Sequence, residues 1–128
     1  MILLDTCALL WWTLQPQKLS RKAARICAEI QETGAFVSSI SVWEIGIKQK
    51  KGKLELGISL DDYVSRLKSL NTLTFLPVDE ETWLLNLSLD WDHRNPVDRT
   101  IVASAKQRHL PIVTKDEHIR QFYRQTVW

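Results

Sequence analysis

Glycine and cysteine are scarce in this chain, with four of the former and two of the latter in 128 residues. Gly34, Gly46, Gly52 and Gly57 form neither a G-x-G-x-x-G fingerprint nor a Walker pattern, which removes dinucleotide and P-loop chemistry. No G-x-S-x-G elbow occurs, so the serine-hydrolase route on an α/β sheet is closed as well. Cys7 and Cys27 are too few for a disulfide framework or a zinc site, and both fall inside apolar helical patterns. They read as reduced thiols of a cytosolic protein. No basic leader precedes an apolar stretch, and the opening apolar run breaks at Asp5, far short of the about 20 residues that cross a bilayer. No targeting or membrane segment is expected. Repeats, low-complexity tracts and Pro- or Ser-rich linkers are missing too, so residues 1–128 read as one domain.

What is present is enough to fold. The chain is 45% hydrophobic and long enough to bury a core without staples. Seventeen basic against fifteen acidic residues give a net charge of +2. If several of the acids gather in one place, the remaining surface is more basic than that total, which suits a polyanionic partner. The ordinary alternative is a surface simply solvated by lysine and arginine.

Short apolar runs alternate with helical patterns along the chain. Met1-Ile2-Leu3-Leu4 has no polar alternation, as a strand buried on both faces would read, and a helix leaves it through Trp12. Ser20 looks like the N-cap of a helix to about Thr33, stopped by Gly34. A strand at Ala35-Phe36-Val37 precedes a helix opened by Ser41 and running through Lys51. Leu60, Tyr63, Val64, Leu67 and Leu70 mark another helix, and Leu73 to Val78 a third strand. A helix from Asp79 or Glu80 is expected to bury Trp83, Leu84 and Leu87. A polar loop, Asp90 to Arg94, then leads into a helix capped by Asn95 and reaching about His109. Pro111 to Thr114 is a fourth strand, Asp116 starts a last helix, and Thr126 to Trp128 is a candidate closing strand. The alternation predicts an α/β fold with a parallel sheet of four or five strands sandwiched between helices.

Four acids fall where chemistry gathers in such a sheet, at the carboxyl ends of the strands. Asp5 and Asp116 follow strands directly, Glu44 rides the helix after the second, and Asp98 opens the helix feeding the fourth. Each has an ordinary explanation. Glu44 completes a capping box with Ser41 and precedes Lys48 in ion-pair order, Asp98 complements a helix dipole, and Asp116 is an N-cap. Asp5 has the weakest excuse, because an apolar strand end offers a carboxylate little. If the four share one edge, their repulsion calls for a cation, and an all-oxygen donor set selects a hard ion, Mg²⁺ or Mn²⁺. Such an ion holds phosphates and activates water for in-line attack on phosphorus. Other strand-end aspartate chemistries fit less well. Asp5-Thr6-Cys7 lacks the second aspartate of an aspartyl-phosphate phosphatase, and a phosphorylated receiver carries its aspartate on a middle strand.

The stretches LLDTCALLWW (Leu3 to Trp12), SISVWEIGIKQKKGKLEL (Ser39 to Leu56), HRNPVDRTIVASA (His93 to Ala105) and PIVTKDEHIRQF (Pro111 to Phe122) resemble the PIN-domain family. The resemblance is closest to the VapC-like ribonuclease toxins of toxin–antitoxin pairs and covers nearly the whole chain in order. It implies a metal-dependent endoribonuclease, with Asp5, Glu44, Asp98 and Asp116 as the acidic quartet. It further implies an RNA substrate, a homodimer, and a cognate antitoxin whose tail enters the acidic pocket. One position departs: where this subgroup reads H-R-D-P-x-D-R, the first of those acids is Asn95 here. Two other readings stand beside the toxin: a PIN nuclease of RNA processing, and a non-cleaving RNA- or partner-binding module.

Around the quartet, Thr6 and Thr114 are candidates to orient a carboxylate or water, and His93, Arg94 and Arg99 to meet phosphate. Asn95 belongs to the same surround. Trp11, Trp12, Trp43 and Trp83 are expected in the core or at a dimer contact, and Trp91 as the one base-stacking candidate. Lys48, Lys50, Lys51 and Lys53 read as a solvated face ahead of a phosphate track.

Overall fold

Three apolar residues set the centre of the sheet. In the computed structural model, which describes residues 1–128, β1 (Ile2–Leu4) lies between β2 (Ala35–Ser38) and β4 (Ile112–Val113). β3 (Leu73–Leu76) and β5 (Thr126–Val127) complete the five-stranded order β3-β2-β1-β4-β5, with every pairing parallel. The central strands are apolar because both faces are covered. Leu4 and Val113 enter one core with Leu9, Ile30, Val37 and Leu67, while Leu3 and Ile112 enter the other with Ile101, Val102 and Ile119. No helix is long and apolar enough to cross a membrane.

Eight helices follow the strands: α1 (Thr6–Leu14), α2 (Arg21–Ala28), α3 (Ile30–Thr33), α4 (Ser39–Lys50), α5 (Leu60–Lys68), α6 (Glu80–Ser88), α7 (Pro96–Arg108) and α8 (Glu117–Phe122). The chain moves from β1 to β2 on one side and returns to β4 on the other. The ends of β1 and β4 therefore flank the point where winding reverses, a crevice left open by the topology.

Three expectations are corrected. The segment Ser20–Thr33 is two helices, since α2 ends at Ala28 with Glu29 as its C-cap and α3 restarts at Ile30. Ser38, not Ser41, caps α4, accepting from the Ile40 amide at 3.2 Å. The helix thus leaves β2 without a loop, Ser41 lies in its interior, and the capping box with Glu44 does not form. Trp83, Leu84 and Leu87 are exposed, at 43%, 66% and 77%. What α6 buries is polar. Asn86 Nδ2 donates to Thr100 Oγ1 at 2.9 Å and Thr82 Oγ1 to Gln107 Oε1 at 3.0 Å, so side-chain hydrogen bonds, not the apolar stripe, choose the face turned to α7.

Candidate active site

Asp5 ends β1 and caps α1: its amide donates to Val113 O at 3.2 Å, and its Oδ1 accepts from the Ala8 amide at 2.8 Å. Strand ladder and helix cap together give the side chain no freedom to leave. It is 5% exposed, and burial pushes its carboxyl up to about 7. Hydrogen bonds from Thr114 and from the Ala8 amide pull against that shift, and the charges of Asp98 and Asp116 add to it.

The other three acids reach the same cleft by different elements. Asp116 follows β4 and caps α8, accepting from the Ile119 amide at 3.0 Å. Its own amide donates to Thr114 Oγ1 at 3.0 Å, so the buried Thr114 hydroxyl ties two of the acids together. Asp98 stands in the first turn of α7, with Oδ2 at 2.7 Å from His93 Nε2. Burial raises its carboxyl and the neighbouring Asp116 and Glu44 reinforce the shift, while the His93 bond opposes it. Glu44, on α4, keeps 18% of its side chain exposed, with Lys48 Nζ at 4.0 Å. Asn95 Oδ1 caps α7, accepting from the Val97 and Asp98 amides at 2.9 and 3.2 Å. All four acids and Asn95 line one cleft of about 380 Å³, together with Thr6, Lys48 and Lys115. The floor is braced by Thr6 Oγ1, which donates to Ser41 Oγ at 2.9 Å and so joins α1 to α4.

Sequence reasoning missed the basic wall. Lys48 belongs to the cleft and not to a plain solvated face, and Lys115 lies between Thr114 and Asp116 on the carboxyl side of β4. The signals were its place in T-K-D after a strand and the one-turn spacing from Glu44 to Lys48.

Arg99 is not where an incoming phosphate would meet it. Its guanidinium donates to Asn86 O at 2.7 Å, Asn86 Oδ1 at 3.3 Å, His93 O at 3.0 Å, Leu89 O at 3.3 Å and the Trp91 carbonyl. A segment with no ladder partner has carbonyls to satisfy, and one fork-shaped cation satisfies several at once. Arg99 is the clamp of the loop that precedes Asp98. Trp91 is likewise engaged inside the protein, stacked on Phe122 with centroids 4.5 Å apart and planes 7° apart. Of the three cationic candidates, Arg94 alone is exposed.

An all-carboxylate donor set suits a hard divalent ion. No three His, Cys, Asp or Glu groups stand close enough to enclose one. An open cleft lined by acids, in place of a tight cage, matches the way Mg²⁺ is held by one or two carboxylates while keeping waters for substrate phosphates. A cation there would also relieve the repulsion that adds to the effect of burial on Asp5 and Asp98.

A family model of the PIN domain matches residues 2–125. The chain belongs to the PIN-domain family. Among curated relatives, this PIN domain is 29% identical over 121 residues to the ribonuclease VapC22 of Mycobacterium tuberculosis, covering 93% of this chain and 89% of that protein. Its fold superposes on a toxin–antitoxin complex from Klebsiella pneumoniae with a TM-score of 0.67 at 17% identity, covering 100% and 97% of the two chains. It superposes on FitAcB from Neisseria gonorrhoeae with a TM-score of 0.65 at 26% identity, covering 93% and 90%.

Proposed function

We propose that this PIN domain is a metal-dependent endoribonuclease, the toxin of a toxin–antitoxin pair. The observation that carries the reading is the cleft at the β1/β4 crevice, where the buried Asp5 shares one lining with Asp98, Asp116 and Glu44. Carboxylates of this quartet, directly or through bound water, would hold Mg²⁺ or Mn²⁺, which when bound would supply an activated water and stabilise the charge developing on phosphorus. The Thr114 hydroxyl keeps Asp5 and the Asp116 backbone in register. Lys48 and Lys115 on the cleft wall, and the exposed Arg94, would neutralise substrate phosphates. No covalent enzyme intermediate is expected. The one thiol in the cleft, Cys7, is pushed up to about 11 by burial and by the Asp5 charge, so it is protonated at neutral pH.

The ribonuclease and toxin–antitoxin names of the relatives support the choice of RNA and of a protein inhibitor. An antitoxin is expected to close the cleft. A homodimer is expected to use the exposed apolar face of α4 and α6, with Trp43 and Trp83, because Trp11 is already packed on Trp128 at 5.6 Å. The site of action is the cytoplasm. The test is cleavage of single-stranded or looped RNA by purified protein in Mg²⁺ or Mn²⁺. Loss of cleavage on chelation is expected, and undiminished cleavage in excess chelator overturns the metal assignment. Slowed growth on expression, relieved by the partner, separates a toxin from a PIN nuclease of RNA processing.

A further inference from the structure

Beside the acid cleft, four rings make a continuous chain of contacts. Phe122 of α8 stacks on Trp91, Trp91 meets His93 at 4.8 Å, and His93 stacks on His118 at 4.6 Å with planes 11° apart. The inner rings have protein on them. His118, at the other end, is exposed, and its stacking partner within the fold is His93. The ladder is also tied to the chemistry: His93 bonds Asp98, and His118 lies in the first turn of α8, two residues beyond Asp116.

We propose that the open face of His118 is a stacking platform for an unpaired nucleobase of the RNA bound in the acid cleft. This rests on the nuclease reading and adds to it the way the strand is held. A flat ring stacked on His93, which is itself held by its bond to Asp98 and its contact with Trp91, cannot rotate away cheaply. It therefore presents a preorganised surface, which lowers the ordering cost of binding. Every base has a π face, so such a platform accepts single-stranded RNA with little sequence preference and rejects a base locked in a duplex. Arg94, exposed and next to His93 in sequence, offers a cation for the flanking phosphate of a stacked nucleotide. The arrangement also accounts for Trp91. The tryptophan that sequence alone marks as a stacking residue is the interior support of the surface, and His118 is its working end.

The experiment reads binding without cleavage. An Asp5→Asn protein in Mg²⁺ is titrated with a labelled single-stranded oligoribonucleotide and with versions lacking one base at each position in turn. His118→Ala in that background is expected to weaken binding about fivefold or more, the low end of base-on-aromatic stacking, while His118→Phe retains it. One of the base-deleted oligonucleotides should bind equally to the proteins with and without the His118→Ala change, identifying the stacked nucleotide. Equal binding of the intact oligonucleotide by those two proteins overturns the platform, as does a loss that persists with every base-deleted oligonucleotide. In the cleaving protein, His118→Ala should raise KM and leave kcat near the parent value, whereas a brace for Asp98 alone would lower kcat. A protein that shows the His118 pattern in binding yet cuts no RNA overturns the nuclease reading and leaves the platform standing.

Discussion

Asp5 and Asp98 deliver the same group to the same cleft by opposite means. Asp5 is positioned by regular structure: the β1–β4 ladder on one side of it and the α1 cap on the other. Asp98, in the first turn of α7, depends on the loop before it, whose carbonyls converge on Arg99 and whose Trp91 and His93 rings pack against Phe122 and His118 of α8. The first arrangement is rigid but costly, because it buries a charge. The second is more exposed and depends on one side chain to hold residues 89–93 in place. A fault in the first should therefore show mainly in chemistry and pH behaviour, and a fault in the second in stability.

The largest effect is expected on cleavage. Asp5→Asn and Asp98→Asn should each lower the rate about a hundredfold or more, through loss of a charged group from the proposed metal site. Both should keep the fold. Asn caps a helix about as well as Asp, so α1 keeps its N-cap in Asp5→Asn. Circular dichroism beside single-turnover assays checks this, and a fully active Asp98→Asn protein would reduce Asp98 to a dipole partner.

Stability against pH comes next. With the folded-state value for Asp5 at about 7 and the unfolded one near 3.9, the folded protein binds the extra proton between them. Its stability without metal therefore falls as pH rises through that window, with a ceiling of about 4 kcal/mol from this one group. Asp98, shifted the same way, adds to the slope. Urea melts from pH 4 to pH 7 in chelator should show the decline, and Asp5→Asn should flatten most of it. Added Mg²⁺ should restore stability at pH 7 and do little at pH 4, since the ion competes with the proton. A stability rising toward pH 7 without metal would contradict the burial of Asp5.

Arg99→Ala should cost about 2–3 kcal/mol, since it leaves several carbonyls of the loop without their charged donor. Arg99→Lys should recover little of this, because a point charge cannot reproduce the fork. Cleavage should fall with either change, through displacement of Asp98. Wild-type stability in Arg99→Ala would mean that the ring ladder alone holds the loop.

The same contrast separates what was legible from what was not. Strand ends after apolar runs are visible in a sequence, so the places of Asp5 and Asp116 and a parallel sheet of four or five strands, five in the fold, could be read from periodicity and position. Arg99 could not, because the carbonyls it serves belong to residues 86–93 and only the folded loop brings them to it. Trp83, Leu84 and Leu87 misled for a related reason. Periodicity shows a stripe but not which stripe is covered, and on α6 the hydrogen bonds of Thr82 and Asn86 decide that. The cap of α4 falls at Ser38, ahead of Ser41, because β2 runs into the helix without a loop and leaves no turn signal to mark the boundary.

The smallest effect is expected at Asn95, which stands between the two arrangements: it caps the helix that carries Asp98 and also lines the cleft. Its Oδ1 takes both backbone donors at the start of α7, at 2.9 and 3.2 Å. Asn95→Asp keeps an oxygen there, and Asp caps as well as Asn, so the cap itself should change by less than about 0.5 kcal/mol. The remaining change is one of charge, an amide nitrogen replaced by a carboxylate oxygen beside Asp98. In chelator the fifth charge adds repulsion, and the melting temperature should drop by a few degrees, as for a loss of about 1 kcal/mol. In Mg²⁺ the sign reverses: binding tightens, the melting temperature recovers, and half-maximal cleavage needs a few-fold less metal. The two signs must appear together if the side chain acts on the site. Superimposable metal titrations of the two proteins would show that Asn95 serves α7 alone, and that the departure from H-R-D-P is neutral.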